Sequence, residues 1–245
     1  MPGLSLTADG LTKRYGDATA LVLDRLDVAP GEVVGLVGNN GAGKTTLLRL
    51  ALDLIAPTAG HVALDGVRVG GADLGWKRRV GAFLDAGFLI DYLRAEEYLR
   101  FVGGAYGVEA ADVDRRVAAV AGFLGEALAS GRLIRDLSLG NAGKVGIVGA
   151  LLPEPDLVVL DEPFANLDPG ARIALEGLIR QAGARGATVL VSSHDLDHVV
   201  DVCTRVLVLA GGRVVRDTPS TPGTLAELRA FFAAGGRGEG SGGEG

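Results

Sequence analysis

The sequence predicts an α/β protein built on a parallel sheet, and three observations lead to that prediction. Short, fully apolar runs such as Leu157–Leu160 alternate with segments of helical periodicity, which is typical of a parallel sheet covered on both faces. Residues 92–135 have helical periodicity throughout, which indicates a helical subdomain. Two strand-like segments joined by turn residues come before the first apolar run. We therefore also expect an N-terminal antiparallel β subdomain.

The N-terminal third is predicted to contain six strands and one helix. Glycine-containing turns separate the strands, and Pro57 ends the helix because proline lacks the amide hydrogen that a helix interior requires. The dipeptide Asp65-Gly66 favours a tight turn and joins two of the strands into a hairpin. The predicted strands are residues 4–8, 19–28, 33–37, 61–64, 67–69 and 80–84, and the predicted helix is residues 44–54.

After the helical stretch, strands and helices alternate again. The predicted order is strand 157–160, helix 169–182, strand 188–192, helix 195–203, strands 206–209 and 213–215, and helix 224–233. We expect residues 1–234 to form one domain, with a helical subdomain inserted at about residues 86–150. The glycine-rich residues 235–245 are expected to be disordered, because they lack the apolar side chains of a packed core.

Composition excludes some classes of partner. A formal net charge of −6 argues against nucleic-acid binding, which requires clustered cations. No apolar run approaches the roughly 20 residues that cross a bilayer, and the N-terminus does not resemble a secretory signal. The single cysteine, Cys203, fits a reducing compartment, and its place beside an apolar strand favours core packing over reactivity. These observations predict a cytosolic protein.

A glycine-rich loop between a predicted strand and a predicted helix matches the pattern G-x-x-x-x-G-K-[ST]. Its residues are Gly38, Asn39, Asn40, Gly41, Ala42, Gly43, Lys44 and Thr45, and Thr46 follows. The glycines allow backbone amides to face phosphate oxygens beside the positive end of the helix. In this pattern the lysine contacts the β- and γ-phosphates and the threonine hydroxyl binds Mg²⁺. The loop predicts a nucleoside triphosphate site.

Two acids follow the apolar strand Leu157–Leu160. Asp161 is placed to contact Mg²⁺, and Glu162, which points in another direction, is a candidate to polarise the attacking water. The long interval between Lys44 and Asp161 requires a separate subdomain between the two halves of one site.

The order of motifs over residues 4–216 resembles that of ATP-binding-cassette (ABC) ATPases, which have a P-loop NTPase core. The segments that carry the resemblance are Asp161-Glu162-Pro163 (Walker B), Ala165-Asn166-Leu167-Asp168 (D-loop), Ser193-His194-Asp195 (His switch), Leu137-Ser138-Leu139-Gly140-Asn141 (signature) and Tyr15 within Lys13-Arg14-Tyr15-Gly16. The resemblance implies that Tyr15 stacks on adenine and that His194 contacts the γ-phosphate. It also implies that the signature residues Ser138, Leu139, Gly140 and Asn141 meet the ATP of a second subunit and that Asp168 belongs to the D-loop.

The chain departs from the family pattern at several positions. Asp85 stands where the family usually has a glutamine that touches Mg²⁺, so we expect Asp85 on the metal side of the site. Leu139 and Asn141 replace a glycine and a glutamine of the signature, and Asn39 replaces a proline. Ser138 and Gly140, which carry the clearest phosphate role in the family, are present, so activity is expected to survive.

The resemblance implies an ATPase that uses ATP and Mg²⁺ and dimerises around two ATP molecules. The expected partners are a transmembrane permease subunit on a separate chain and a second ATPase subunit, in a homodimer or a heterodimer. The chain would then lie peripherally at the cytoplasmic face of the membrane, and its signature looks most like those of bacterial export systems. The alternative is a soluble ABC ATPase, for example of the iron–sulfur assembly or translation type. A phosphate-loop kinase is disfavoured by the signature and by His194, and a GTPase is disfavoured because the sequence has no Asn-Lys-x-Asp segment to read guanine.

Overall fold

The computed structural model describes residues 3–234, so the prediction for residues 235–245 lies outside the described residues. The strands are β1 Leu6–Tyr15, β2 Ala18–Val28, β3 Val33–Val37, β4 Ala59–Leu64, β5 Val67–Arg68, β6 Val80–Phe83, β7 Leu157–Leu160, β8 Thr188–Ser193, β9 Arg205–Ala210 and β10 Arg213–Pro219. The helices are α1 Lys44–Ala51, α2 Ala95–Ala105, α3 Ala110–Ala119, α4 Ala121–Leu124, α5 Glu126–Ala129, α6 Leu139–Leu151, α7 Pro169–Ala184, α8 Leu196–Val202 and α9 Thr224–Ala233. Short 3₁₀ turns cover Gly75–Arg79, Ala86–Phe88 and Ile134–Asp136.

The larger sheet has six strands in the order β10-β9-β3-β8-β7-β6. Strands β9, β3, β8, β7 and β6 are mutually parallel, and every residue of β3, β7 and β8 is buried. The predicted parallel sheet is therefore confirmed. Strand β10 is longer than predicted and runs antiparallel to β9, because a tight turn at Gly211-Gly212, both with positive φ, returns the chain along its neighbour.

Alternate residues of the central strands enter two separate cores, as the pleat of a strand requires. Val33 and Val37 of β3 face the core that includes α6, α7 and α8, whereas Val34 and Leu36 face the core beneath the N-terminal sheet. Each fully buried leucine or valine contributes about 1.5–3 kcal/mol to folding. The sheet thus lies between two apolar cores. These cores hold the strands in place and thereby position the loops that follow their carboxyl ends.

The smaller sheet is antiparallel, in the order β2-β1-β4-β5. It confirms the predicted N-terminal subdomain, although β1 extends to Tyr15 rather than ending at residue 8. The extension is stabilised by pairing with β2 along its whole length, through a register shift between Lys13 and Arg14. The predicted hairpin at Asp65-Gly66 is present between β4 and β5.

Helices α2 to α6 form the inserted helical subdomain. The continuous helical pattern of residues 92–135 is broken in the structure by Gly107 and Gly125, both of which have positive φ. Gly103 lets α2 approach α3 closely, since an added Cβ would lie 2.3 Å from Val113 Cγ2. Within residues 3–234, no helix has both the length and the apolar character needed to span a membrane.

Cys203 lies between α8 and β9, where its side chain is buried. Its Sγ would be 3.0 Å from a Cβ added at Gly35, so α8 and β3 pack closely at this point. Burial raises the pKa of the Cys203 thiol. The predicted packing role of this residue is confirmed.

Candidate nucleotide site

The predicted site residues converge at the carboxyl edge of the parallel sheet. The phosphate loop follows β3, Asp161 and Glu162 follow β7, and His194 follows β8, which lies between the other two strands. Open α/β sheets bind ligands at this edge, because loops from neighbouring strands meet there. Sheet topology therefore joins segments that are far apart in sequence.

The phosphate loop is held in shape by close contacts with its surroundings. Gly43 has φ 107°, and an added Cβ would lie 2.9 Å from the carbonyl oxygen of Ala20. An added Cβ at Gly38 would lie 2.3 Å from the carbonyl oxygen of Leu209. The amide of Gly212 donates a hydrogen bond of 3.1 Å to Ala42, which fastens the loop to the β9–β10 turn. The glycines are thus required by the fold as well as by the approach of a phosphate.

Lys44 is a buried cation at the start of α1, with only 6% of its surface exposed. Its Nζ donates to the carbonyl oxygen of Gly38 at 2.6 Å and lies 3.3 Å from Oε1 of Glu162. A buried ammonium group requires such partners, because its desolvation is costly. The arrangement directs the Lys44 charge toward the loop and the Walker B acid.

Thr45 and Asp161 form the oxygen cluster of the site. Thr45 Oγ1 donates to Asp161 Oδ2 at 2.6 Å, and the hydroxyl of Ser192 donates to the other oxygen of the same carboxylate. Mg²⁺ prefers a few carboxylate and hydroxyl oxygens together with water and phosphate oxygens. The donor set of Thr45 and Asp161 therefore fits the predicted Mg²⁺. Ser192 was not predicted as a site residue, although a polar residue directly after the apolar run Val189–Val191 is a usable signal.

Glu162 links Lys44 to His194. One carboxylate oxygen faces Lys44, and the other lies 2.8 Å from His194 Nδ1 and accepts a hydrogen bond of 3.2 Å from the His194 amide. Glu162 has φ 47°, a left-handed conformation that is unfavourable for this residue type, and its amide donates to Ser192 Oγ at 2.9 Å. Such strained backbone is common at functional sites. The contact also leaves Nε2 of His194 available to another group.

Tyr15 and Asp85 lie at the margin of this cluster. Tyr15 ends β1 with an exposed ring, and the Lys13 ammonium lies 4.9 Å from the ring centroid. The Asp85 side chain is exposed and accepts a hydrogen bond of 2.6 Å from the amide of Gly87. The structure does not bring Asp85 into hydrogen-bond contact with Thr45 or Asp161, so its place on the metal side stays a prediction.

The signature residues form a separate, more exposed feature at the start of α6. Ser138 is the N-cap, and its Oγ accepts from the amide of Asn141 at 3.3 Å. Leu139 is 71% exposed. Gly140 packs on the D-loop, since an added Cβ would lie 2.2 Å from the carbonyl oxygen of Asn166. No hydrogen bond or ion pair within residues 3–234 joins these four residues to Lys44, Thr45 or Glu162.

Asp168 connects the D-loop to the signature helix. It caps α7 by accepting from the amide of Ala171 at 2.9 Å, and Lys144 Nζ of α6 lies 3.3 Å from its Oδ2. The Ala171 amide and the Lys144 ammonium lower the pKa of the Asp168 carboxyl below its usual value. Lys144 was missed by the sequence reasoning, although a lone cation in an apolar helix is a signal for a specific partner.

Comparison with known proteins places these features in a family. The family described as "ABC transporter" matches residues 24–165, which is more than half of the chain. An aliphatic sulfonates import ATP-binding protein from Xanthomonas axonopodis is 36% identical over 93% of this chain and 85% of its own length. A Nod factor export ATP-binding protein from Cupriavidus pinatubonensis is 34% identical over 84% of this chain and 63% of its own length.

Two further relatives are considerably longer than the matched region. An uncharacterized ABC transporter ATP-binding protein from Synechocystis is 35% identical over 82% of this chain. The match covers 55% of that protein, and 59% of a second such protein from Nostoc. The chain therefore spans somewhat more than half the length of these relatives.

Solved structures agree with the family comparison. The structure of an ATP-binding subunit of an ABC transporter superposes with a TM-score of 0.80 at 31% identity, covering 95% of each chain. A dimeric ATP-binding cassette in a post-hydrolysis state with ADP and Pi superposes with a TM-score of 0.78 at 26% identity, covering 88% of this chain and 99% of the other. The predicted fold is therefore confirmed.

Proposed function

The chain belongs to the ABC transporter family of ATP-binding proteins, and from that premise we propose that it hydrolyses ATP as part of a dimer and thereby drives a membrane-spanning permease subunit. The observation that carries this proposal is the convergence of Lys44, the Thr45–Asp161 pair and the Glu162–His194 pair at one sheet edge. These are the kinds of groups that phosphoryl transfer to water requires.

Each group has a definable task in the proposed reaction. Lys44 neutralises the β- and γ-phosphates, and Thr45 and Asp161 hold Mg²⁺, which supplies further charge neutralisation when bound. Glu162 accepts a hydrogen bond from the attacking water and orients it toward the γ-phosphate. His194, held through Nδ1 by Glu162, uses Nε2 to contact the γ-phosphate. Tyr15 offers an exposed ring for adenine.

The second ATPase subunit completes the site through the signature. Ser138 caps an exposed helix whose N-terminal amides are suited to an anion. We assign Ser138 and Gly140 to the γ-phosphate bound by a partner subunit, in a homodimer or a heterodimer. The proposal draws support from the dimeric cassette that superposes on this chain.

An apolar groove provides a surface for the permease. It has a volume of about 290 Å³, lies between the core and the start of the helical insertion, and is lined in part by Leu54, Trp76, Phe88 and Tyr106. Phe88 is 62% exposed, whereas Trp76 is 5% exposed and its Nε1 has no hydrogen-bond partner within the described residues. Exposed apolar patches of this kind mark interaction sites. We assign the groove to a permease helix at the membrane, which would make the chain a peripheral subunit there.

The direction of transport differs among the proteins that are similar to this chain. The names of similar proteins include both an aliphatic sulfonates importer and Nod factor exporters, at comparable identity. The expectation of export from the signature stays a prediction, which transport assays in vesicles with the cognate permease would test.

The experiment that tests the ATPase proposal compares the wild type with Glu162→Gln. The glutamine keeps the shape of the side chain but accepts hydrogen bonds more weakly, so we expect turnover to fall about 100-fold or more while ATP binding persists. Wild-type activity should rise faster than linearly with protein concentration, and the variant should accumulate as an ATP-bound dimer in size-exclusion chromatography. Normal turnover by the variant would contradict the assignment of Glu162.

Co-purification tests the permease proposal. Phe88→Ala should weaken association with the permease and leave the ATPase activity of the isolated chain unchanged, because the Phe88 side chain is exposed in the groove. Ile173→Ala removes a similarly exposed apolar side chain on α7 and serves as the control. If the chain is active and never associates with a membrane protein, the soluble ABC ATPase becomes the better hypothesis.

A further inference from the structure

We propose that His198 is a positioning residue for the ATPase reaction, which couples the His194 loop to the Glu162 loop through its contacts with Phe164 and helix α7. The inference rests on the proposed function, because it assigns a task within that reaction. His198 lies one helical turn beyond His194, in α8, and is largely buried. It does not contact the nucleotide-binding cluster directly.

The two ring nitrogens of His198 face carboxylates from two different elements. Nδ1 lies 2.8 Å from Glu176 Oε1 of α7, and Nε2 lies 3.6 Å from Asp195 Oδ2. A neutral imidazole donates one hydrogen bond, and a protonated imidazole donates two. The ring therefore bridges α7 and the start of α8. This bridge connects the helix that follows the D-loop with the helix that follows the His switch.

A third contact joins His198 to the Walker B segment. The ring of Phe164 lies parallel to the imidazole, with centroids 4.8 Å apart and an interplanar angle of 17°. Phe164 is buried and lies two residues after Glu162. Stacking of two flat rings is a favourable arrangement, so this contact ties the segment after Glu162 to α8. The backbone that carries Glu162 is therefore positioned against α8.

Asp195 transmits the position of His198 to His194. Asp195 immediately follows His194 and is the N-cap of α8, with its carboxylate accepting from the Asp197 amide at 3.1 Å. Its own amide donates to Ser193 Oγ at 2.9 Å. The loop that presents His194 is thus fixed at its far end by contacts that include His198. His198 therefore contacts the segments that carry both partners of the Glu162–His194 pair, through Phe164 on one side and Asp195 on the other.

Other charges complete the surroundings of His198. Arg180 lies 3.4 Å from Glu176 and donates to the carbonyl oxygen of Asp201, so Glu176 is shared between a cation on its own helix and the imidazole of α8. On the other side of α8, Arg229 of α9 pairs with Asp197 at 2.7 Å. These pairs connect α8 to α7 and α9, and among the contacts between α7 and α8 the Glu176–His198 bond is closer to the His switch than the Arg180–Asp201 bond.

The test compares His198→Phe, His198→Asn and His61→Gln. Phenylalanine keeps a flat ring beside Phe164 but donates no hydrogen bond, whereas the Asn amide nitrogen can replace Nδ1 as a donor to Glu176. We expect kcat to fall about tenfold in His198→Phe, with the KM for ATP within twofold of the wild type, and part of kcat to return in His198→Asn, which restores the hydrogen bond but not the ring stack. His61 belongs to β4 of the antiparallel sheet, so His61→Gln should behave as the wild type.

Glu176→Gln provides a second measurement that does not alter the ring stack. It weakens the acceptor of the Nδ1 bond and should lower kcat to a similar extent, with an unchanged KM for ATP. Wild-type kcat in both His198→Phe and Glu176→Gln would overturn the proposal. An equal loss in His198→Phe and His198→Asn, with a raised KM, would also overturn it, because that pattern reports general damage. Failure of the proposed function would look different, since the wild type itself would then lack ATPase activity.

Discussion

The phosphate-loop half of the site, which contains Lys44 and Asp161, and the signature half at the start of α6 differ in burial and in the length of their hydrogen bonds. Lys44 and Asp161 are buried, and each takes part in a hydrogen bond of 2.6 Å. At the signature, Leu139 is largely exposed and the hydrogen bonds of Asn141 are 3.3 and 3.5 Å. The phosphate-loop half is held by hydrogen bonds within the chain. The signature half is oriented by the Ser138 helix cap and is exposed at the surface. The contrast agrees with the proposed dimer, in which the first half would bind nucleotide and metal and the second would meet a second subunit.

The two halves are nevertheless joined within the chain. Gly140 rests against the backbone of Asn166, and Lys144 reaches Asp168. Both contacts connect the signature helix to the D-loop, which follows the Walker B acids. A substitution in the first half should therefore abolish chemistry, and a substitution at the junction should impair the dimer more than the binding of ATP.

Among the variants that test this comparison, the largest effect is expected from Thr45→Val. Valine has the shape of threonine but lacks the hydroxyl that donates to Asp161, so we expect Mg²⁺-dependent turnover to fall about 100-fold. Thr45→Ser keeps the hydroxyl and should retain most of the activity. Titration of ATPase activity with Mg²⁺ measures both variants. Equal activity of the valine and serine variants would place the metal elsewhere.

A smaller effect is expected from Gly140→Ala, which tests the junction. The added Cβ meets a backbone oxygen at 2.2 Å, so the signature helix must shift from the D-loop. We expect turnover to fall about tenfold, with ATP affinity of the isolated chain unchanged. Gly143→Ala in the same helix is the control, because an added Cβ there would lie 3.8 Å from Phe83 Cζ, an ordinary contact. Alanine also favours a helix over glycine by about 1 kcal/mol. Thermal melts should show this control to be at least as stable as the wild type.

Lys144→Met should have a more modest effect on the same junction. The methionine keeps the apolar stem and loses the cation that approaches Asp168, a residue whose carboxylate is mostly in solvent. Exposed pairs of this kind alter equilibria by about two- to fivefold. Turnover should fall within that range, and high salt should reduce the difference between the variant and the wild type. A loss as large as that of Gly140→Ala would assign the lysine a further role.

The smallest effect is expected from Asp85→Gln, which introduces the usual residue of the family. The carboxylate accepts from its own turn and lies in solvent, so the Mg²⁺ concentration for half-maximal activity should change about two- to fivefold. Permease-stimulated turnover should be measured beside it. If neither quantity changes, Asp85 does not belong to the metal side of the site.

The sequence predicted those parts of the structure that depend on local pattern. The phosphate loop, the acids after β7 and the alternation of strands and helices along the chain follow from periodicity and short motifs. The length of β1 depends on pairing with β2 and was not predicted. Three residues were assigned roles only by contacts with segments that are 22 to 31 residues away in sequence, namely Ser192, Lys144 and His198. Such contacts depend on topology, which single-residue patterns do not specify.

The burial of Cys203 has a practical consequence for spectroscopy. Because its thiol is enclosed between α8 and β3 and its pKa is raised, it should resist maleimide reagents under native conditions. The natural chain can then serve as an unreactive background, in which one cysteine introduced at exposed Leu139 is the single labelled position. A spin label or fluorophore attached there would follow the approach of the signature to a partner subunit during turnover.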